Sequence, residues 1–190
     1  MSDLPQSEPQ QPEAAKRVPW GKILVWGGFL VLLAIIGIAL VKTQRGGIAI
    51  GGKVPPDLTM TDFSGHTYRL GDLRGKVVLI NFWASWCNTC KDEAVMLEQA
   101  WEQYKDRGDV VFLGLDYVDT DPDALAYIKK YGITYPNGPD KATRWAQTFH
   151  LRGVPETYIV DRNGRLAYKK IGPFQSLQEI LSALSLALEK

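Results

Sequence analysis

The stretch from Val77 to Cys90, VVLINFWASWCNTC, holds both cysteines of the chain and decides how the rest is read. Val77 to Trp83 is a short, mostly apolar run, as expected of a strand covered on both faces. Ala84-Ser85-Trp86 makes a brief turn. After Cys87 the apolar residues recur at helical spacing as far as Arg107, and Gly108 stops them. A helix starting at Cys87 places that residue among unpaired N–H groups, where the macrodipole stabilises an anion. A thiolate there has a lowered pKa and is the nucleophile. Cys90, three residues on, faces the same side and can close a disulfide with little backbone movement. The pair is built to open and close: Cys87 attacks and Cys90 resolves.

Other readings of Cys-x-x-Cys fit less well. Haem attachment needs a histidine at position 91, which is Lys91. Zinc needs further ligands, and the two histidines, His66 and His150, lack paired spacing. No metal is expected. A purely structural disulfide across so short a loop constrains the unfolded chain little.

Working outward, Leu58 to Thr61 and His66 to Arg69 flank Asp62-Phe63-Ser64-Gly65 and read as a hairpin. Val110 to Leu115 is another buried strand. Asp121 reads as an N-cap with Pro122 at the first helical position, opening a helix that runs to Tyr131 and ends at Gly132. Lys141 to His150 reads as helical. Thr157 to Val160 and Leu166 to Ile171 are strands joined across Asp161-Arg162-Asn163-Gly164, with Asn-Gly as the hairpin signal. Leu177 to Leu188 is an amphipathic closing helix. This order predicts an α/β sandwich with a mixed sheet. Trp83, Trp101, Trp145, Phe112 and Tyr158 suit its core. Asp116, Asp119, Asp121 and Asp123 lack the Gly and Glu positions of an EF-hand and read as a solvated loop and helix cap.

The first 45 residues differ from the rest. Residues 1–22 hold Pro5, Pro9, Pro12 and Pro19 in a polar background and read as a disordered cytoplasmic tail. Residues 23–41 are an uncharged run of 19, of which 13 are Ile, Leu, Val or Phe. At about 1.5 Å per residue the run spans roughly 28 Å, close to a bilayer core. It is longer than a signal-peptide core, which favours an uncleaved anchor, although Gly47-Ile48-Ala49 is a candidate cleavage triplet. Lys16, Arg17 and Lys22 before it against Lys42 and Arg45 after it place the tail inside and the domain outside the cytoplasm. Residues 42–53 are a Gly-rich flexible linker, and 54–190 is the main domain. The full chain has 190 residues and a net charge of +1, from 22 basic and 21 acidic residues. A protein that grips nucleic acid by neutralising phosphates is far more basic, so no nucleic-acid partner is expected.

A second motif, Gly153-Val154-Pro155-Glu156-Thr157, stands directly before a strand. Taken alone, Pro155 is an ordinary turn proline, trans as most are. Together, VVLINFWASWCNTC and GVPETYIVD (153–161) resemble the thioredoxin superfamily. With the anchor and the upstream PPDLTMTDFSGHTYRLGDLRGK, the chain resembles the membrane-tethered, TlpA/ResA-like branch, which includes the thiol:disulfide oxidoreductases of cytochrome c maturation. The resemblance implies a thioredoxin-like fold with a mixed central sheet flanked by helices. It carries an N-terminal hairpin and a central insertion (115–140), and a single transmembrane helix precedes it. It implies an exposed nucleophile at Cys87, a buried resolving Cys90 and a cis Pro155. Val154 would offer its backbone to an extended substrate strand, and Trp86 would border the site. Glu156 would tune the thiols or assist proton transfer, and a strand-pairing role stays open beside that.

Three departures bear on the chemistry. Asn88-Thr89 replaces the proline-containing dipeptide common in this branch, and groups so near the thiolate set the potential. Asn81 stands where other thioredoxins carry a buried aspartate. Ile80 and Ala84 occupy places where a peroxiredoxin has proline and threonine, which disfavours peroxidase activity. The sequence therefore reads as a membrane-anchored, monomeric thiol:disulfide oxidoreductase without cofactor. Its expected partners are exported proteins such as apocytochrome c, a membrane thiol electron donor and the bilayer. The rival reading is a tethered scaffold that holds an exported or metal-carrying client without turnover.

Overall fold

All seven residues of β3 (Val77–Trp83) are buried, because a strand lies on each side of it and helices cover both faces. The computed structural model describes residues 20–44 and 47–190, with side chains in the first stretch given at 24–38. The remaining strands and α-helices of the second stretch are β1 (Thr59–Thr61), β2 (Thr67–Arg69), α2 (Asn88–Tyr104), β4 (Val110–Asp116), α3 (Asp121–Tyr131), β5 (Asn137–Pro139), α4 (Arg144–Phe149), β6 (Glu156–Val160), β7 (Leu166–Ile171) and α5 (Leu177–Leu188). The central sheet runs β5-β4-β3-β6-β7. β3, β4 and β5 are parallel, while β6 and β7 run antiparallel, so the sheet is mixed.

The period of two along β3 divides the core. Val77, Leu79 and Trp83 join Cys87, Cys90, Leu97, Tyr127, Ile180 and Leu184 under α2, α3 and α5. Val78, Ile80 and Phe82 join Leu58, Met60, Trp145, Phe149 and Tyr158 under the β1–β2 hairpin and α4. This is the expected thioredoxin-like α/β architecture. Trp83, Phe112, Trp145 and Tyr158 are buried as expected, whereas Trp101 is only half-buried and packs on Phe112 at 5.5 Å.

Several boundaries differ from the sequence reading. The cap of α3 is Thr120, whose hydroxyl accepts the Asp123 N–H, so Asp121 falls inside the helix. The region 141–150 is not one helix. Ala142 and Thr143 take left-handed φ of 56° and 52°, and α4 starts afresh where the Asp140 carboxylate accepts the Trp145 and Ala146 N–H groups at 2.9 and 2.8 Å. β5 was not foreseen. The compact unit begins at Gly47, earlier than Val54. The Gly51 N–H donates to Leu166 O and the Leu166 N–H to Gly52 O, at 2.7 and 2.9 Å, so this part of the expected linker lies along β7.

α1 (Trp20–Gln44) is a separate helix of 25 residues. Its described side chains, 24–38, are all exposed. Among the described residues no helix is long and apolar enough to cross a membrane, so the expected transmembrane helix is not met there. The expected tail lies outside the described residues apart from 20–22, which open α1.

Candidate active site

β3 delivers the chain into the turn 84–86, and the Cys87 N–H closes that turn on Ala84 O at 3.1 Å. α2 then starts at Asn88, with Cys87 as its N-cap in an extended conformation. A cap must satisfy a free N–H, and here a sulfur does so: Cys87 Sγ accepts the Cys90 N–H at 3.1 Å. The same sulfur is bonded to Cys90 Sγ, with the Cα atoms 5.3 Å apart. The Tyr127 hydroxyl donates to Cys90 O at 2.9 Å and ties α3 to the redox turn.

The expected exposed nucleophile is 5% exposed in this oxidised state, against 1% for Cys90. The Cys87 neighbours Trp86, Asn88 and Thr89 are exposed and frame it. The Thr89 hydroxyl lies 3.6 Å from Cys87 Sγ, and Asn88 Oδ1 accepts from Lys91 Nζ at 2.8 Å.

The Val154–Pro155 bond is cis. Phe82 pairs with Glu156 across β3 and β6, so residues 154 and 155 lie at the end of the sheet where β3 leaves for Cys87. Val154 is half-buried and packs against both halves of the core.

Glu156 is not at the thiols. Residues 156, 158 and 160 share one face of β6, and Tyr158 and Val160 belong to the α4 side of the core, opposite the cysteines. The buried Glu156 carboxylate accepts the Arg152 N–H at 3.1 Å and the Tyr158 hydroxyl, bracing the loop that leads into Pro155.

The buried acid on the cysteine side is Glu93, one turn after Cys90 and 1% exposed. Its carboxyl accepts from Asn81 Nδ2 and from the Phe174 N–H, both at 2.9 Å. Burial pushes its pKa up to about 7, although these hydrogen bonds favour the charged form. The sequence reading missed it. The available signal was an acid on the buried stripe of α2 formed by Cys90, Ala94, Leu97 and Ala100. Asp116 was misread as solvated and is 2% exposed. Among the described residues no cluster could hold a metal.

A strand, a Cys-x-x-Cys turn, a capped helix and a cis-proline loop thus converge at one sheet end. The chain matches the AhpC/TSA family over residues 50–169. This chain belongs to the AhpC/TSA family. Within it, the chain is similar to the thiol-disulfide oxidoreductase ResA of Geobacillus kaustophilus, at 31% identity over 140 residues, 72% of this chain and 79% of that protein. ResA of Bacillus cereus is 32% identical over 121 residues, 64% of this chain and 69% of that protein. A thioredoxin family thiol:disulfide interchange protein of Chlorobium tepidum shares the fold, with a TM-score of 0.62 at 24% identity over 71% of this chain and 95% of that one. The family member described here is a ResA/TlpA-like thiol-disulfide oxidoreductase.

Proposed function

We propose that this oxidoreductase is tethered to a membrane through residues 23–41, with the N-terminus cytoplasmic and the domain outside. There it reduces disulfides in exported proteins, apocytochrome c among them. The observation that carries the reading is the Cys87–Cys90 disulfide at the mouth of α2, the oxidised product of such a reduction.

In the cycle, Cys87 thiolate attacks one sulfur of the client disulfide. That S–S bond breaks and the other client sulfur leaves, taking up a proton. Cys90 thiolate then attacks Cys87 Sγ, and the second client sulfur leaves. Two electrons have passed to the client, and a membrane thiol donor returns the pair to its reduced form. Glu93, on the same helix face as Cys90 and poised near neutrality, suits the role of proton acceptor for the Cys90 thiol. Trp86, Val154 and Pro155 border the groove, with the Val154 backbone available for strand-like hydrogen bonds. Asn88 and Thr89 shape the surroundings of Cys87.

Electrostatics support the reductive direction. An ionised Glu93 opposes a nearby thiolate, which favours the disulfide and so favours giving electrons away. The anchor is supported by the 19 uncharged residues inside a helix of 25. The rival scaffold reading leaves the capped, closed sulfur pair without a purpose.

Equilibrating the full chain with a glutathione or dithiothreitol series tests the direction. A strongly negative potential supports reduction, and a value near that of strong oxidants, about −120 mV, reverses it. Cys90→Ser should accumulate mixed disulfides through Cys87. Sluggish alkylation of both thiols with ordinary pH dependence would favour the scaffold. Labelling of intact cells by a membrane-impermeant thiol reagent after mild reduction tests the side of the membrane.

A further inference from the structure

The loop after β4 grips the redox turn at three successive points. The Tyr117 N–H donates to Trp83 O at 2.8 Å. Val118 O accepts the Trp86 indole N–H at 3.0 Å. Asp119 Oδ2 accepts the Ser85 N–H at 2.6 Å. Val118 holds a φ of +50°, a left-handed conformation that a β-branched residue rarely adopts. The surrounding contacts impose this shape, and its effect is to aim three consecutive residues at the segment that delivers Cys87.

Beneath the loop lies Asp116, paired with Trp83 in the sheet and 2% exposed. Its Oδ1 has no partner among the described residues. Burial, followed by the negative charges of Asp119 and Asp121, pushes its pKa up to about 7. The Asp119 carboxylate accepts from Ser85 N–H through Oδ2 and from Thr120 N–H through Oδ1. Two donors, one on each oxygen, fix the orientation of Asp119.

We propose that Asp119, whose carboxylate holds the Ser85 N–H, is a positioning residue that fixes the Ser85–Trp86 turn so that Cys87 Sγ meets an incoming disulfide in line. The proposal rests on thiol-disulfide exchange through Cys87 and deepens that reading. Exchange needs the attacking sulfur aligned with the bond it breaks, and misplacement by about 1 Å can cost on the order of 10²-fold in rate. Ser85 is two residues from that sulfur.

The test uses the reduced full chain and a small aromatic disulfide, which reports on the turn whatever the natural client or direction. Asp119→Ala should lower the second-order rate at least fivefold. Asp119→Asn keeps an oxygen for Ser85 N–H, so it should recover at least half the parent rate. Alkylation of Cys87 by iodoacetamide, which breaks no S–S bond, should change less than threefold in every variant. A fall of less than fivefold in Asp119→Ala overturns the proposal. So does an Asp119→Asn rate below half the parent's, or alkylation that falls in step with exchange. A parent that attacks the small disulfide but no protein disulfide would sink the client reading and leave the positioning role standing.

Discussion

Glu93 Oε1 accepts from Asn81 Nδ2 at 2.9 Å, so the buried carboxyl beside the cysteines comes from α2 while β3 supplies only a neutral partner. The same Asn81 amide also reaches the Thr157 hydroxyl at 3.0 Å. Such a carboxyl links stability to pH. Its pKa rises from 4.5 to about 7 on folding, first through burial. Between those values the folded chain binds more protons than the unfolded one, so stability falls as pH rises. The contribution is full below pH 4.5 and lost once pH passes about 7, and it amounts to about 3 kcal/mol at ~1.4 kcal/mol per pKa unit. The buried Asp116 adds a contribution of the same sign. Denaturant unfolding of the oxidised chain at several pH values should show this decline, and Glu93→Gln should flatten it. A parent whose stability climbs from pH 5 to pH 8 would contradict the assignment.

Proton transfer from Cys90 gives a separate kinetic expectation. Glu93 accepts a proton only when ionised, so release of the mixed disulfide should speed up through about pH 7. Glu93→Gln should slow that step about 10²-fold and abolish the inflection. Stopped-flow decay of a preformed mixed disulfide reads it directly. An inflection that survives in Glu93→Gln would assign the proton to another group.

The parts legible in the sequence were those in which local pattern and tertiary demand agree. β3 is apolar on both faces because it is central, and Cys87 precedes a helix because the strand-turn-helix spacing allows little else. The cap of α3 slipped from Asp121 to Thr120 because both side chains can cap and Pro122 fits either of the first two helical positions. β5 was hidden because Asn137-Gly138-Pro139 reads as a turn, and only its pairing with β4 makes it a strand. The break at Ala142 and Thr143 follows from the Asp140 carboxylate claiming N–H groups five and six residues ahead. The stripe of α2 marked Glu93 as buried, but its partner was illegible because the Phe174 N–H is 81 residues away. The exposure expected of Cys87 is not met: it is 5% exposed, with its Sγ bonded to Cys90 and accepting the Cys90 N–H.

Glu156 separates loop bracing from thiol tuning. Glu156→Ala leaves the Arg152 N–H without its acceptor and the Tyr158 hydroxyl with only Phe149 O, at 3.3 Å. The chain should lose about 1–3 kcal/mol. The loop carrying Val154 and Pro155 should loosen, raising KM for a protein disulfide more than it lowers kcat. The midpoint of Cys87 alkylation against pH should stay within about 0.3 unit of the parent, since the carboxylate faces the other side of the sheet. A shift of a full unit would restore Glu156 as a tuner of the thiol.

Gly114 gives a test of the scaffold beneath the site. A Cβ there would fall 1.7 Å from Asn137 Oδ1 and 2.9 Å from Trp83 Nε1. Those two atoms are themselves hydrogen-bonded at 2.8 Å, which fastens the edge strand β5 to the strand that delivers the redox turn. Neither the Trp83 ring nor the Asn137 amide can yield freely, because Trp83 stacks on Tyr127 at 4.5 Å and Asn137 Nδ2 donates to Tyr135 O at 2.8 Å. Gly114→Ala should therefore lower the unfolding free energy by about 3 kcal/mol, from overpacking plus the broken bond. Asn137→Ala alone loses the bond without the clash. In the double variant the two penalties should sum to less than their separate values, because truncating Asn137 opens the space the new methyl needs. Denaturant midpoints of the three variants measure this coupling, and strict additivity would mean that the close approach at Gly114 is relieved in some other way.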